Sequence, residues 1–158
     1  MKSAHFAALA IAMSATVAAA APRASHIVVA QAWSRPAVAG ANGAGYLTIM
    51  NHGPAPVILV RVESPLAQRV EMHRSSMAGG VMSMAPAARV AVPGKGSVSF
   101  APGGYHLMLI GLKRSLAAGD TIPGTLVFAD GARAPVTFKV GDPPGAAAGD
   151  PMAGMAHR

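Results

Sequence analysis

Residues 101–120 read APGGYHLMLIGLKRSLAAGD. APGG is a turn signal and KRSLAAGD reads as a loop, so the segment between them, YHLMLIGL at 105–112, is bounded on both sides. It is short, apolar and without a helical period, which predicts a strand. In a strand, residues two apart share a face. His106 and Met108 therefore project to one side, and Leu107 and Leu109 to the other.

The same reading extends outward in both directions. HIVVAQAW (26–33), YLTIMN (46–51), VILVRVES (57–64), AQRVEMH (67–73), the short GVMSM (80–84), SVSF (97–100), IPGTLVFAD (122–130) and APVTFKV (134–140) are all strand candidates. AVAGANGAG (37–45), HGPAP (52–56), VPGKG (92–96) and GAR (131–133) read as loops and turns between them. No stretch of ten or more residues has a clean helical period. Eighteen glycines and thirteen prolines also argue against long helices. Several short strands at this spacing predict an all-β sandwich or barrel. The 158 residues suffice for one domain with its own core. Alanine supplies much of the 52% hydrophobic content and aromatics are only 4%, so the core must rest on Val, Leu, Ile and Met.

The two ends differ from this middle. MKSAH is basic, FAALAIAMSATVAAAA is apolar but short for a membrane span, and small residues follow, so 1–20 reads as a secretory signal cleaved most simply after Ala20. An uncleaved anchor is the alternative, although the chain has no cysteine to carry a lipid. The expected compartment is the periplasm or extracellular space. Residues 21–140 form the β domain. From Gly141 to Arg158 the sequence GDPPGAAAGDPMAGMAHR has no strand or helix pattern and reads as a disordered tail. The formal charge of +7 is scattered rather than clustered, which speaks against a nucleic-acid surface.

Ten methionines accompany zero cysteines. EMHRSSMAGGVMSM, residues 71–84, holds one histidine and four of the methionines. Met82 and Met84 share a strand face, whereas Met72 cannot share the face of His73 if that strand is regular. His73, Met84, His106 and Met108 thus form a candidate convergent set, with Met72, Met77 and Met82 as further nearby thioethers. Thioether sulfur is soft and imidazole borderline, a combination that suits Cu(I) better than Zn, Ca or Mg. Methionine needs no deprotonation to bind, and it forms no disulfides in an oxidising compartment, although it can become a sulfoxide. Each methionine taken singly reads more readily as core filler than as ligand, and a structural or interaction module, a β-sandwich whose methionines only pack, remains an alternative.

From His73 through Met84 and His106 to Met108 the spacing is H-x10-M-x21-H-x-M. With its flanks GYLTIMNHG (45–53), VEMH (70–73) and PGGYHLMLIGLKRSLAAGD (102–120), it resembles the PCu(A)C family of periplasmic copper chaperones, over about Ala32 to Val140. The resemblance implies a cupredoxin-like Greek-key β-barrel that binds one Cu(I) through His73, Met84, His106 and Met108. It implies as partners the cytochrome c oxidase subunit carrying the dinuclear copper centre, and a Sco-type thiol protein that assists the transfer. Many members place a methionine directly after the first histidine. Here that position is Arg74, whose charge would slightly weaken Cu(I) binding or shape docking. The fold also invites an electron-transfer reading, but blue copper sites need a cysteine thiolate, and none exists here. Four neutral donors favour the reduced ion and leave no open position for catalysis, so an enzyme is not expected.

Met152, Met155 and His157 offer an auxiliary site for Cu(I) or Cu(II) in the tail, against the plainer reading of an inert end. His5, His26 and His52 read as irrelevant to the main site. A monomer is the simplest state. Sequestration of copper, rather than its delivery, fits the same residues.

Overall fold

Ten strands follow one another in residues 26–145, the part of the chain that the computed structural model describes. They are β1 (Ile27–Ser34), β2 (Gly43–Asn51), β3 (Val57–Glu63), β4 (Ala67–Ala78), β5 (Val81–Pro86), β6 (Val90–Val92), β7 (Gly96–Phe100), β8 (Tyr105–Leu112), β9 (Thr121–Phe128) and β10 (Arg133–Val140). No helix among the described residues is long and apolar enough to cross a membrane. The expected signal at 1–20 and most of the expected tail lie outside the described residues.

The strands form one sheet in the order β5-β4-β8-β7-β2-β1-β10-β9-β3-β6, with β8 also pairing β2. Most neighbours are distant in sequence, as a Greek-key winding requires. The sheet curls so that β3 and β4, near opposite ends of that order, line one cleft through Val60, Val62, Val70 and Met72. All-β architecture of the cupredoxin-like kind is the result. Strand β10 shows the pattern most plainly: Ala134, Val136, Phe138 and Val140 are buried and alternate with less buried residues. They join Leu47, Ile49, Leu59, Leu107, Leu109, Ile122, Leu126 and Phe128 in one core. Side chains on one face of a strand are driven inward together, because each large aliphatic group buried contributes about 1.5–3 kcal/mol.

Three elements differ from the sequence reading. Gly43–Gly45 is strand rather than loop. A Cβ on Gly45 would lie 3.3 Å from Leu109 Cδ1, and one on Gly43 3.3 Å from Leu112 Cδ1. These glycines are there because the inner face of β8 occupies their side-chain space. Strand β4 runs on past His73 to Ala78, and β5 reaches Pro86. The intervening Gly79 and Gly80 have φ of 58° and 78°. Positive φ at both central residues marks the tight hairpin turn whose twist matches its strands, which extends pairing across weak strand formers. Finally, Val90–Val92 is a strand of three residues, too short to show a period, yet Val90 and Val92 are buried where it pairs with β3.

Beyond β10, Gly141 donates its N–H to Ser34 O at 2.9 Å, and Pro143 and Pro144 lie beside Gln31 and Trp33. The chain therefore leaves the sheet along β1.

Candidate metal centre

The inward pull on Leu107 and Leu109 decides where their neighbours go. Both leucines are buried in the core. His106 and Met108 therefore stand on the outer face of β8. Pairing with β4 places His73 directly opposite His106 and Glu71 opposite Met108. Pairing of β4 with β5 places Ser75 opposite Met84. Residues directly opposite share a face, and so do residues two apart along one strand. His73, Met84, His106 and Met108 are thus on one face of three adjacent strands, and their register alone brings them together.

The contacts agree with the register. The rings of His73 and His106 are 5.8 Å apart between centroids, inclined at 47°. Met84, His106 and Met108 line one hollow with Ser75, Tyr46 and Arg35. Ala44 of β2 lies opposite Met108, and its small side chain leaves room for the thioether. Exposure is graded: His106 is 8% exposed, His73 and Met108 are half-buried, and Met84 is 57% exposed. One imidazole is therefore seated in the protein, while one thioether stands in solvent at the rim.

Hydrogen bonds fix which ring nitrogens are free. His106 Nδ1 lies 3.3 Å from Gly104 O. A carbonyl only accepts, so Nδ1 carries the hydrogen and Nε2 of the neutral ring keeps its lone pair. The same end of the site is tied by Ser75 N donating to Gly104 O at 3.0 Å. His73 Nε2 lies 3.0 Å from Glu71 Oε2. The Arg69 guanidinium, 2.7 Å from Glu71 Oε1, and then the His73 ring hold the Glu71 carboxyl below the usual carboxylate range. Glu71 is consequently an ionised acceptor at neutral pH, and His73 donates to it from Nε2, which leaves the Nδ1 lone pair free to bind a metal. The pair of bonds orients the imidazole as a carboxylate commonly does behind a metal-binding histidine.

The donor set is two imidazoles and two thioethers, all uncharged. It fits a soft monovalent ion such as Cu(I) and offers nothing to hard cations. Among the described residues no group of three or more His, Asp or Glu forms a candidate metal cluster.

Other residues singled out from the sequence separate here. Met72 is buried in the core, so it packs rather than standing near the site. Arg74 lies on the opposite face of β4, with its guanidinium 5.4 Å from the Tyr105 ring centroid, so it does not line the hollow. Met77 and Met82 sit further out on the hairpin of β4 and β5. Met152, Met155 and His157 lie outside the described residues. Sequence reasoning missed Glu71, although period-2 spacing from His73 signals it. It also missed Arg35 and Tyr46, which only the fold brings to the hollow.

Comparison with known proteins places these observations in a family. Residues 27–140 match the family described as "Putative lipoprotein LpqE-like". The "Putative lipoprotein Lxx21020" of Leifsonia xyli subsp. xyli is 34% identical over 125 residues, covering 78% of this chain and 75% of that protein. The copper-bound PCuAC domain from PmoF2 is alike in fold, with a TM-score of 0.63 and 24% identity over 75% of this chain and 95% of that one. The Cu(I) form of DR1885 from Deinococcus radiodurans has a TM-score of 0.51 and 30% identity, over 71% of this chain and 77% of its own.

Proposed function

The chain belongs to the LpqE-like family, and from that we propose that it is an exported copper chaperone which carries Cu(I) as cargo on His73, Met84, His106 and Met108. The convergence of these four side chains on one face, through two strand pairings, carries the reading. Similarity to a PCuAC domain holding copper and to a protein solved with Cu(I) supports it.

The geometry suits handing the ion on. His106 and His73 are oriented by their hydrogen bonds, so they receive the metal with little reorganisation. Met84 at the exposed rim is the donor that an acceptor's ligand meets first. Release then proceeds by exchange: a bond to the incoming donor forms as the bond to the rim thioether breaks, and copper remains Cu(I) throughout. The acceptor we infer is the dinuclear copper centre of cytochrome c oxidase, reached directly or with a Sco-type thiol protein. Export follows from the secretory pattern of residues 1–20, in keeping with a family described as lipoproteins.

Anaerobic titration of the mature protein with Cu(I), against a chromogenic chelator, tests the assignment. One tightly held equivalent is expected, weakened on replacing any of His73, Met84, His106 or Met108. Binding indifferent to all four changes would refute the ligand set. If binding holds but copper never reaches an apo oxidase fragment or a Sco-type protein, the role is sequestration.

A further inference from the structure

The end of the β4–β5 hairpin carries thioethers that neither the core nor the four-donor site uses. Met77 lies directly opposite Met82, one pair in from the Ala78–Val81 pair that closes the turn. Met77 is 67% exposed and Met82 59%. Packing does not explain them, since methionine earns its place in cores by filling gaps. Nor does strand propensity, because exposed strand positions favour β-branched residues. Strand β5 is moreover the outermost strand of the sheet, and edge strands are normally guarded by charge, yet VMSMAP has none.

Register gives these sulfurs a common direction. Met77 is two residues beyond Ser75 and four beyond His73, so it shares their face. Met82 shares the face of Met84 for the same reason. Directly opposite side chains have Cβ atoms about 4.5–5.5 Å apart, and Met84 follows Met82 by about 7 Å along the strand. Three flexible thioethers within that span can close on one ion. Gly79 and Gly80, both at positive φ, hold the turn tight and so keep Met77 and Met82 in register. Ser75, Ser76 and Ser83 are their polar neighbours on the hairpin, which supplies no carboxylate or imidazole at this end.

We propose that Met77, Met82 and Met84 form a second, methionine-only site for soft monovalent Cu(I), at the entrance to the main site. Met84 belongs to both, so an ion captured at the hairpin end reaches His73, His106 and Met108 by exchange. Each exchange breaks one bond to a thioether sulfur and forms one to the next donor. No electron or proton moves, and copper stays Cu(I). The transfer part of this proposal rests on the four-donor reading; capture at the hairpin does not.

The test is NMR of full-length protein carrying 13C-labelled methionine methyl groups, titrated anaerobically with Cu(I). In the unaltered chain the methyls of Met84 and Met108 are expected to respond first; with Met84 then committed to the main site, those of Met77 and Met82 respond to a later, weaker equivalent held by the two of them. Met77→Leu with Met82→Leu should abolish that later binding at the hairpin and leave the first intact. His73→Ala with His106→Ala should abolish the first while Met77 and Met82 still respond. Methyls of Met77 and Met82 that stay unmoved at excess Cu(I) in both the unaltered chain and the histidine variant would overturn the hairpin site. Their response alone, with Met108 silent throughout, would uphold capture and overturn the transfer together with the four-donor reading.

Discussion

At the scale of single residues, the candidate centre is built from groups whose direction is fixed by hydrogen bonds. His106 is seated by Gly104 O and His73 by Glu71, which Arg69 holds in turn. Glu71→Gln removes the ionised acceptor while keeping size and strand position. Loss of such a supporting carboxylate costs about 10–100-fold in metal affinity. Because Glu71 is partly exposed, the lower end, about tenfold, is expected here. Chelator competition with Cu(I) measures it, and an unchanged affinity would show that His73 is oriented by its strand alone. Arg74 illustrates the opposite outcome. It adjoins His73 in sequence, but alternation sends it to Tyr105 on the other face.

At the scale of the strand, the core and the site are two faces of the same element. Leu107 is 1% exposed between His106 and Met108. Leu107→Ala should cost about 2–5 kcal/mol of unfolding free energy, as cavity-forming leucine truncations do. Denaturant unfolding of the apo protein checks it. A value near zero would mean that β8 is not anchored through its inner face. A different bond ties β3 to β10: Arg133 donates to Glu63 at 2.6 Å, and Arg61 pairs with the same carboxyl at 2.8 Å. Arg133 foremost holds the Glu63 carboxyl below its ordinary value. The folded pKa is thus below the unfolded one. The stabilisation is complete above the ordinary glutamate range and disappears as pH falls through the folded value. For side chains this exposed it amounts to at most about 1 kcal/mol. Glu63→Gln should therefore lower stability slightly at pH 7 and flatten its decline toward acid pH. An acid limb identical to that of the unaltered protein would contradict this.

The strands that carry the site were the most legible in sequence. YHLMLIGL stands between clear turn signals, and its alternation already separates the two leucines from His106 and Met108. Alternation also distinguished Met72 from His73, and the fold puts Met72 in the core. The Gly43–Gly45 segment was not legible, because glycine-rich sequence ordinarily means a loop. Here glycine answers to side chains of β8 that are more than sixty positions away. Serines 75 and 76 gave no strand signal either, and only the Gly79–Gly80 turn carries β4 to Ala78. Glu71 was hidden in plain view, since its role requires knowing which histidine nitrogen it meets.

At the scale of the whole molecule, the curled sheet delivers residues from β4, β5 and β8 to one outer face, while a continuous core fills the inside. The chain has no thiolate to bind Cu(II) or to cycle electrons. What it presents instead is a set of imidazole and thioether donors graded from a buried imidazole to a solvent-facing thioether. The proposed carrier role calls for such a gradient: a buried end to retain an ion and an exposed end open to an acceptor.

X-ray absorption at the copper edge, on protein loaded anaerobically with one equivalent of Cu(I), reads the donor atoms around the ion themselves. A reduced copper edge is expected, with a shell of imidazole nitrogen together with thioether sulfur, and the sulfur contribution is lost when Met84 and Met108 are both replaced by leucine. A shell without sulfur, or one unchanged in that double variant, would contradict the four-donor reading.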